Sequence, residues 1–335
     1  MRFVHVLVWD IEKKGIIMYY IYLLLVGSIF ANISLDPKDN KITREFIDTM
    51  HNTHKIPTSW LKSQFHGARF NQKAISLIQR PLESKPWSFY QKLFVTAKRT
   101  AEGKKFLKKH SAFLAKCEKE YHIPKEVVVA ILGVETNYGT TMGDFNALEV
   151  LSTLSFYYVP RHVFFRSELE SLIQYAWKHD IDLHKLNGSY AGAIGASQFM
   201  PSNILKYAKS SDNSTVDLLN KPHDAILSVF NYLKKHGKWT NNNPIASPIS
   251  LNAAQKKYIH KHYPNKDSIK LTPKVRSALK LKLQPYTVKY LLVTKGPSTQ
   301  GSHIAYANFS SIMTYNISVN YARSVYLLSE ALKKV

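Results

Sequence analysis

The sequence is poor in cysteine and in acidic residues. Cys117 is the one cysteine among 335 residues, which excludes an internal disulfide, and its helical spacing from Phe113 and Leu114 predicts a core position. Aspartate and glutamate total 23 against 46 lysine and arginine residues, so the formal net charge is +23. This imbalance predicts an anionic partner, which on charge alone is a nucleic acid, an anionic lipid or an acidic polymer.

Motifs for metal and nucleotide chemistry are also missing. No HExxH and no paired cysteines occur, the 14 histidines are scattered, and no Gly-x-Ser-x-Gly elbow is present. No Gly-Lys-Ser/Thr follows the small residues of "NGSYAGAIGASQFMPSN" at 187–203, which excludes a phosphate loop there. We therefore expect no metal site and no cofactor, and no nucleic-acid-binding motif accompanies the positive charge.

An uncharged apolar segment lies near the N-terminus, from Gly15 to Leu35, behind Lys13 and Lys14. This pattern predicts that residues 1–35 are an export signal or an uncleaved membrane anchor, with Met18 as an alternative start. No cysteine follows the segment, so a lipoprotein is excluded. We expect a periplasmic protein, which argues against nucleic acid as the partner.

Apolar residues recur at helical spacing along most of the chain. We predict a helical region at 36–120, a helical core at 121–240, and a linker, small β element and C-terminal helix at 241–335. "YTVKYLLVTK" and "SHIAYANF" are typical of a hairpin, and the polar stretch 241–248 of a loop. The expected class is mainly α (α+β) with a small β-hairpin or sheet.

One carboxylate ends a strongly apolar stretch, "VVVAILGVETNYGTTMG" at 127–143. On a helix started at Pro124 and ended at Gly139, Glu135 shares a face with Ile131 and Leu132. Apolar surroundings raise the pKa of a carboxyl group and suit a general acid. A structural glutamate paired with an arginine or a capping group is an equally good interpretation of this stretch alone.

Several stretches together resemble the membrane-bound lytic murein transglycosylase B family from Trp87 to the C-terminus. They are "ILGVETNYG", "PRHVFFRSEL", "GSYAGAIGASQFMPS", "DAILSVFNYLKKHGKW" and "NFSSIMTYNISVNYA", in that family's order. The resemblance implies a lysozyme-like catalytic core. It also implies cleavage of the MurNAc–GlcNAc bond of peptidoglycan without water, with formation of 1,6-anhydro-MurNAc ends. Glu135 matches the family's single general acid/base, and the substrate's 2-acetamido group would take the place of a second carboxylate.

The resemblance also implies a set of substrate-binding residues. Arg161 matches the second of a pair of family arginines, and Pro160 replaces the first. The matching positions are Ser189, Gln198 and Asn316 as polar groups, Tyr232 and Tyr321 as cleft tyrosines, Phe199 and Met200 as an apolar wall, and Tyr90 as a further aromatic.

Some family members carry a calcium loop before the helix that begins near Asp224. In this sequence Ser210, Ser214 and Lys221 stand where acidic ligands would be expected, so we predict no calcium site. Asp212 and Asp217 are then ordinary turn residues.

Three alternative functions stay open. A catalytically inactive peptidoglycan-binding scaffold would keep the fold, and the change at Pro160 is its main support. A hydrolytic muramidase would need a second carboxylate, for which Asp144, Glu149 and Glu168 are the nearest in sequence. A nucleic-acid-binding protein has only the charge in its favour. Peptidoglycan is the expected partner, and the sequence identifies no partner among the cell-wall synthesis proteins.

Overall fold

The computed structural model describes residues 33–80, 85–281, 287–293 and 301–334. Nearly all of the predicted signal or anchor at 1–35 lies outside these residues. Across the described ranges, no helix combines the length and the apolar character that a membrane span requires.

The described chain is mainly helical with two small antiparallel sheets, in agreement with the predicted class. Helices α1 to α15 cover Lys41–His54, Thr58–Phe65, Gln72–Ile78, Trp87–Phe94, Ala97–Lys109, Ser111–Tyr121, Lys125–Thr136, Ala147–Tyr157, His162–His179, Pro201–Tyr207, Pro222–Lys235, Ala253–His262, Pro273–Leu279, Ala307–Met313 and Val319–Lys333. Strands β1 to β6 cover Phe145–Asn146, Asn187–Gly188, Ala246–Ile249, Ser268–Lys270, Tyr290–Leu292 and Ser302–Ala305.

The larger sheet has the strand order β3-β6-β5-β4, and each neighbouring pair is antiparallel. The predicted hairpin is correct in β5 and β6. Two expectations are wrong: part of the predicted loop 241–248 pairs with β6 as β3, and "ANF" at 307–309 begins α14 rather than extending a strand. Local polarity hid β3, because Pro248 is tolerated on an edge strand where a neighbour supplies the pairing.

The first compact unit contains the described residues up to 80 together with 143–193 and 200–202. Its centre is the packing of α8 on α9, with α3 against α8. Aromatic residues fill the space beside α1: the ring of Phe46 lies 6.0 Å from that of Phe65, and the guanidinium of Arg166 lies 4.5 Å above Phe46. The burial of these faces explains the helical periodicity of the N-terminal sequence.

The second compact unit contains residues 85–142, 194–199 and the described residues from 203 onward. Its central element is α7, in which every residue from Val127 to Leu132 is at most 1% exposed. Helices α5, α11 and α15 pack around α7. The domain boundaries suggested by the sequence, at 120 and 240, fall inside this unit and stay a prediction.

Helix α7 begins and ends as the sequence predicts. Pro124 is its N-cap, and the chain leaves the helix through positive φ angles at Asn137, Tyr138 and Gly139. The predicted core residue Cys117 is buried on α6, and burial raises the pKa of its thiol to about 11. A thiol in this state is not a nucleophile at neutral pH.

One face of α5 carries a row of exposed lysines, which we call the α5 lysine face. Its members are Lys98, Lys104, Lys105, Lys108 and Lys109. At 100° per residue they span about 140° of the helix surface, while Gly103 and Arg99 lie on the inner side. The α5 lysine face therefore concentrates positive charge on one surface of the second unit.

A glycine substitution tests the packing of the first unit. Gly143 has φ +95, and a Cβ there would overlap the Gly188 carbonyl oxygen, whereas Gly67 has φ +71 with nothing within 4 Å. We expect Gly67→Ala to lower the free energy of unfolding by about 1 kcal/mol through backbone strain alone. We expect Gly143→Ala to lower it by about 2–3 kcal/mol more, because of the added overlap. Urea unfolding measures both, and equal losses would contradict the described β1–β2 region.

Candidate functional site

Glu135 lies in the last turn of α7, where an apolar helix reaches the surface. Its neighbours Val134 and Thr136 are 7% and 1% exposed, while Glu135 itself is only partly buried. The helix dipole places partial negative charge at this end, and the apolar residues below it offer no solvation. Both effects disfavour the ionised carboxylate, so Glu135 is suited to hold and release a proton.

Tyr321 contacts this carboxylate directly. Its hydroxyl donates a hydrogen bond to Glu135 Oε1 at 2.6 Å. The contact depends on the start of α15, where the Ser318 side chain accepts from the backbone N–H of Tyr321 and caps the helix. Burial, followed by the nearby charge of Glu135, raises the pKa of Tyr321 well above its usual value. Tyr321 therefore remains a hydrogen-bond donor at any physiological pH.

A second tyrosine, Tyr315, belongs to the same cluster, and the sequence analysis missed it. Its ring is nearly parallel to that of Tyr321, with centroids 6.5 Å apart, and its hydroxyl donates to the Ser197 carbonyl at 2.5 Å. Burial and the Glu135 charge raise its pKa as well. The sequence signal was its position next to the predicted Asn316 in "TYN".

Phe199 and Tyr232 support this pair of tyrosines from below. Their rings are 1% and 3% exposed, and both lie within 6 Å of the Tyr315 ring, at 5.8 and 5.0 Å between centroids. The Tyr232 hydroxyl donates to the Thr314 carbonyl at 2.7 Å. The structure therefore brings Glu135, Phe199, Tyr232 and Tyr321 together with Tyr315, and it buries the Phe199 and Tyr232 rings.

Gln198 lies in the small-residue loop and holds that loop in shape. It has a positive φ of 49°, and its side-chain amide donates to the carbonyls of Met142 and Gly195 at 3.1 and 3.0 Å. Next to it, the Thr136 hydroxyl donates to the Ala196 carbonyl at 2.8 Å, so the residue after Glu135 is bonded to the loop. The small residues have a packing reason here, since a Cβ at Gly195 would lie 2.5 Å from Leu218.

Asn316 and Tyr90 are the other predicted residues in the second unit. Asn316 is partly buried in the turn between α14 and α15, where its carbonyl accepts from Ser318 N–H at 2.7 Å. Tyr90 is 2% exposed on α4, and its ring packs against Phe94 at 5.6 Å. The side chain of Tyr90 therefore has the burial of a core residue and offers no free aromatic face.

Arg161, Ser189 and Met200 belong to the first unit. Arg161 is exposed, with its guanidinium 4.5 Å above the ring of Phe164. The Ser189 hydroxyl accepts from the backbone N–H of Ala193 at 3.0 Å and closes a tight turn. Met200 is partly buried immediately before α10. Each of these side chains has a structural contact or position of its own within that unit.

Two of the three carboxylates considered for a hydrolytic mechanism serve as structural acceptors. Glu168 is 3% exposed and accepts from the backbone N–H and the hydroxyl of Ser202, at 2.9 and 2.7 Å. Glu149 accepts from the backbone N–H of Arg69 at 2.9 Å. Asp144 is exposed. These contacts explain Glu149 and Glu168 without a catalytic role.

The loop before α11 is held by a lysine. The Lys221 ammonium lies 2.7 Å from Asp212 Oδ2 and 2.6 Å from the Ser214 hydroxyl, and it holds the pKa of Asp212 well below its usual range. Asp217 accepts from the backbone N–H groups of Leu219 and Asn220 as an ordinary turn residue. Calcium needs several anionic oxygens, so a donor set with Lys221 inside it does not fit this ion.

Comparison with known proteins places the chain among transglycosylases. The family described as the transglycosylase SLT domain matches residues 38–330. The membrane-bound lytic murein transglycosylase B of Escherichia coli K12 is 32% identical over 320 residues, which cover 91% of this chain and 84% of that protein.

Solved structures agree with the sequence matches. The soluble lytic transglycosylase SltB1 of Pseudomonas aeruginosa superposes with a TM-score of 0.73 at 31% identity, covering 86% of this chain and 97% of that one. The Escherichia coli lytic transglycosylase Slt35, solved in complex with calcium, gives a TM-score of 0.75 at 31% identity, covering 88% and 93%. These matches confirm the predicted fold class and the predicted lytic transglycosylase that acts on peptidoglycan. The chain belongs to the transglycosylase SLT domain family.

Proposed function

We propose that this lytic transglycosylase cleaves the MurNAc–GlcNAc bond without water, with Glu135 as its single general acid and base. The observation that carries the proposal is the 2.6 Å hydrogen bond from Tyr321 to Glu135, at the end of a buried helix and beside Tyr315. A positioned carboxyl with a raised affinity for its proton is the group that protonates a glycosidic oxygen at neutral pH.

The reaction needs one proton to enter and one to leave. Protonated Glu135 donates its proton to the leaving oxygen of GlcNAc as the bond from that oxygen to C1 of MurNAc breaks. The 2-acetamido group of the substrate stabilises the positive charge that develops at C1. The Glu135 carboxylate then removes the proton of the 6-hydroxyl, whose oxygen bonds to C1 and closes the 1,6-anhydro ring. The enzyme ends with Glu135 protonated, and no water is consumed.

Tyr321 has two effects in this cycle. Its hydrogen bond fixes the rotamer of the Glu135 side chain, and it stabilises the carboxylate in the interval between the two proton transfers. Because the pKa of Tyr321 is raised far above neutrality, it gives a hydrogen bond and does not compete for the proton. Tyr315 keeps water from the inner side of this pair by its position against Tyr321.

For substrate contacts we propose Gln198 and Asn316 as polar groups, because both are partly exposed in the unit that holds Glu135. Arg161 is proposed for an anionic group of the polymer, since its guanidinium is exposed. Ser189, Phe199, Met200, Tyr232 and Tyr90 keep the substrate-binding role that the family resemblance implies.

We further propose that the protein works in the periplasm, exported and held at the membrane by its N-terminal segment. The apolar run from Gly15 to Leu35 supports this, as does the membrane-bound description of the E. coli relative. The net charge of +23 and the α5 lysine face suit a cell wall that carries acidic groups.

An inactive wall-binding scaffold is the second candidate, favoured by Pro160 in place of a family arginine. It would bind the wall without producing new ends. The hydrolytic alternative finds less support, since Glu149 and Glu168 are occupied as structural acceptors.

Removal of the acid tests the proposed function. We expect Glu135→Gln, in protein lacking residues 1–35, to lower the release of anhydro-muropeptides from purified peptidoglycan at least about 1,000-fold, since a general acid alone contributes 10²–10⁴. The matched control is Glu330→Gln, which removes a carboxylate from an exposed pair with Lys333 on α15. Mass spectrometry measures the products, and a Glu135→Gln variant with full activity would contradict the role of Glu135.

Removal of the Tyr321 hydroxyl tests its action through Glu135. We expect Tyr321→Phe to lower kcat about 10- to 100-fold, because a hydrogen bond to a charged group contributes about 1.5–3 kcal/mol. The alkaline limb of the pH–rate profile should move to higher pH, since a carboxylate that loses a donor holds its proton more tightly. Tyr326→Phe, on the same helix, is the control and should leave the profile unchanged. A lower kcat with an unmoved limb would exclude this role.

The α5 lysine face can be tested by charge removal. We expect the combined change of Lys104, Lys105, Lys108 and Lys109 to Gln to raise KM for intact wall at low salt and to weaken its salt dependence, with kcat unchanged. The control removes the same charge at Lys256, Lys257, Lys261 and Lys266, which are also exposed. Equal effects of the two sets would mean that only the total charge matters.

A further inference from the structure

The last turn of α7 is bonded to α5 through Arg99. Nη1 of Arg99 donates a hydrogen bond to the carbonyl of Gly133, two residues before Glu135. The same carbonyl accepts from the backbone N–H of Asn137 at 3.1 Å, where the chain leaves the helix. Arg99 therefore bonds to the turn that carries the proposed catalytic carboxylate.

Tyr138 completes this connection from the other end of the turn. It follows the helix with φ 62°, and its hydroxyl donates to the Arg99 carbonyl at 2.8 Å. Its ring lies against two glycines, since a Cβ at Gly133 would be 2.7 Å from the ring and one at Gly103 would overlap its hydroxyl. Both glycines are needed for the ring to reach Arg99, and "GVETNYG" thereby acquires a packing reason.

These contacts leave the backbone around Glu135 little freedom. On one side, Arg99 and Tyr138 hold Gly133 and the residues that follow the helix. On the other side, the Thr136 hydroxyl bonds to the Ala196 carbonyl at 2.8 Å. A side chain held by 2.6 Å to a partner on another helix loses that contact when its own backbone turns by a few degrees.

Arg99 also brings a charge to the end of the helix. Its guanidinium is partly buried and lies 5.5 Å from the centre of the Phe94 ring. Burial lowers its pKa from 12.5, while Tyr138 and Glu102 oppose that effect, so the group remains a cation at neutral pH. A cation at the last carbonyls of a helix stabilises that end against fraying.

We propose that Arg99 and Tyr138 are positioning residues for Glu135, which hold the last turn of α7 so that the carboxylate meets Tyr321. The inference rests on the proposed function, because it concerns the same carboxylate. Neither residue touches the carboxylate through a contact described above, so both act through the backbone of α7.

The test compares Arg99→Met and Tyr138→Phe with Lys98→Met, a neighbouring change on the exposed side of α5. We expect the first two to lower kcat at least about 10-fold with KM within twofold, and Lys98→Met to match the parent. Arg99→Lys should recover part of the loss, since its ammonium can still donate to the Gly133 carbonyl. The double variant Arg99→Met/Tyr138→Phe should be no slower than the slower single variant, because both changes break one unit.

A second measurement separates positioning from stability and needs no turnover. The ¹³C resonance of the Glu135 side-chain carboxyl, assigned by its loss in Glu135→Gln, should shift in Arg99→Met and stay in place in Lys98→Met. An unshifted resonance, or a parental kcat in Arg99→Met measured well below its unfolding temperature, would overturn the proposal. A parent that releases no anhydro products, with the resonance shifted as expected, would overturn the proposed function and leave the positioning role supported.

Discussion

The hydrogen bond between Tyr321 and Glu135 is the contact on which the rest of the site depends. It joins the end of one helix to the start of another, and each end is fixed by its own bonds. Ser318 caps α15 under Tyr321, and Thr136 bonds α7 to the small-residue loop. A bond of 2.6 Å between two side chains persists only where both backbones are held, so the surrounding packing is part of the chemistry.

The apolar character of α7 follows from this requirement. A helix buried on all sides over Val127–Leu132 cannot shift against its neighbours without opening cavities, so it gives Glu135 a rigid base. The same burial leaves no polar group beneath the carboxyl to stabilise its charge. Rigidity and proton affinity thus come from one sequence feature, an apolar run that ends in a single acid.

Much of the fold could be predicted from local patterns. The bounds of α7, α11 and α15 follow from periodicity with Pro124, Gly139 and Gly237 as punctuation, because helix signals lie within a few residues of the helix itself. Strand β3 could not be predicted, since its pairing with β6 joins residues about 55 apart in the chain, and only the partner explains why "ASPI" is extended.

The site divides in the same way. Glu135 is recognisable from its own stretch, and Tyr321 from the family motif that surrounds it. Tyr315, Arg99 and Tyr138 are not, because their importance lies in contacts between distant segments, such as the bond from Arg99 to Gly133. Tyr90 shows the reverse case: an aromatic predicted for the cleft is 2% exposed, since one residue type serves both cores and sugar contacts.

The most direct test of a single-carboxylate mechanism is digestion of purified peptidoglycan in H₂¹⁸O, with the products weighed by mass spectrometry. If Glu135 both donates and removes the proton, the 6-hydroxyl closes the ring and the new MurNAc ends carry no ¹⁸O. Incorporation of one ¹⁸O atom at each new end would mean that water attacks C1. In that case the enzyme is a hydrolase, and a second group must activate the water.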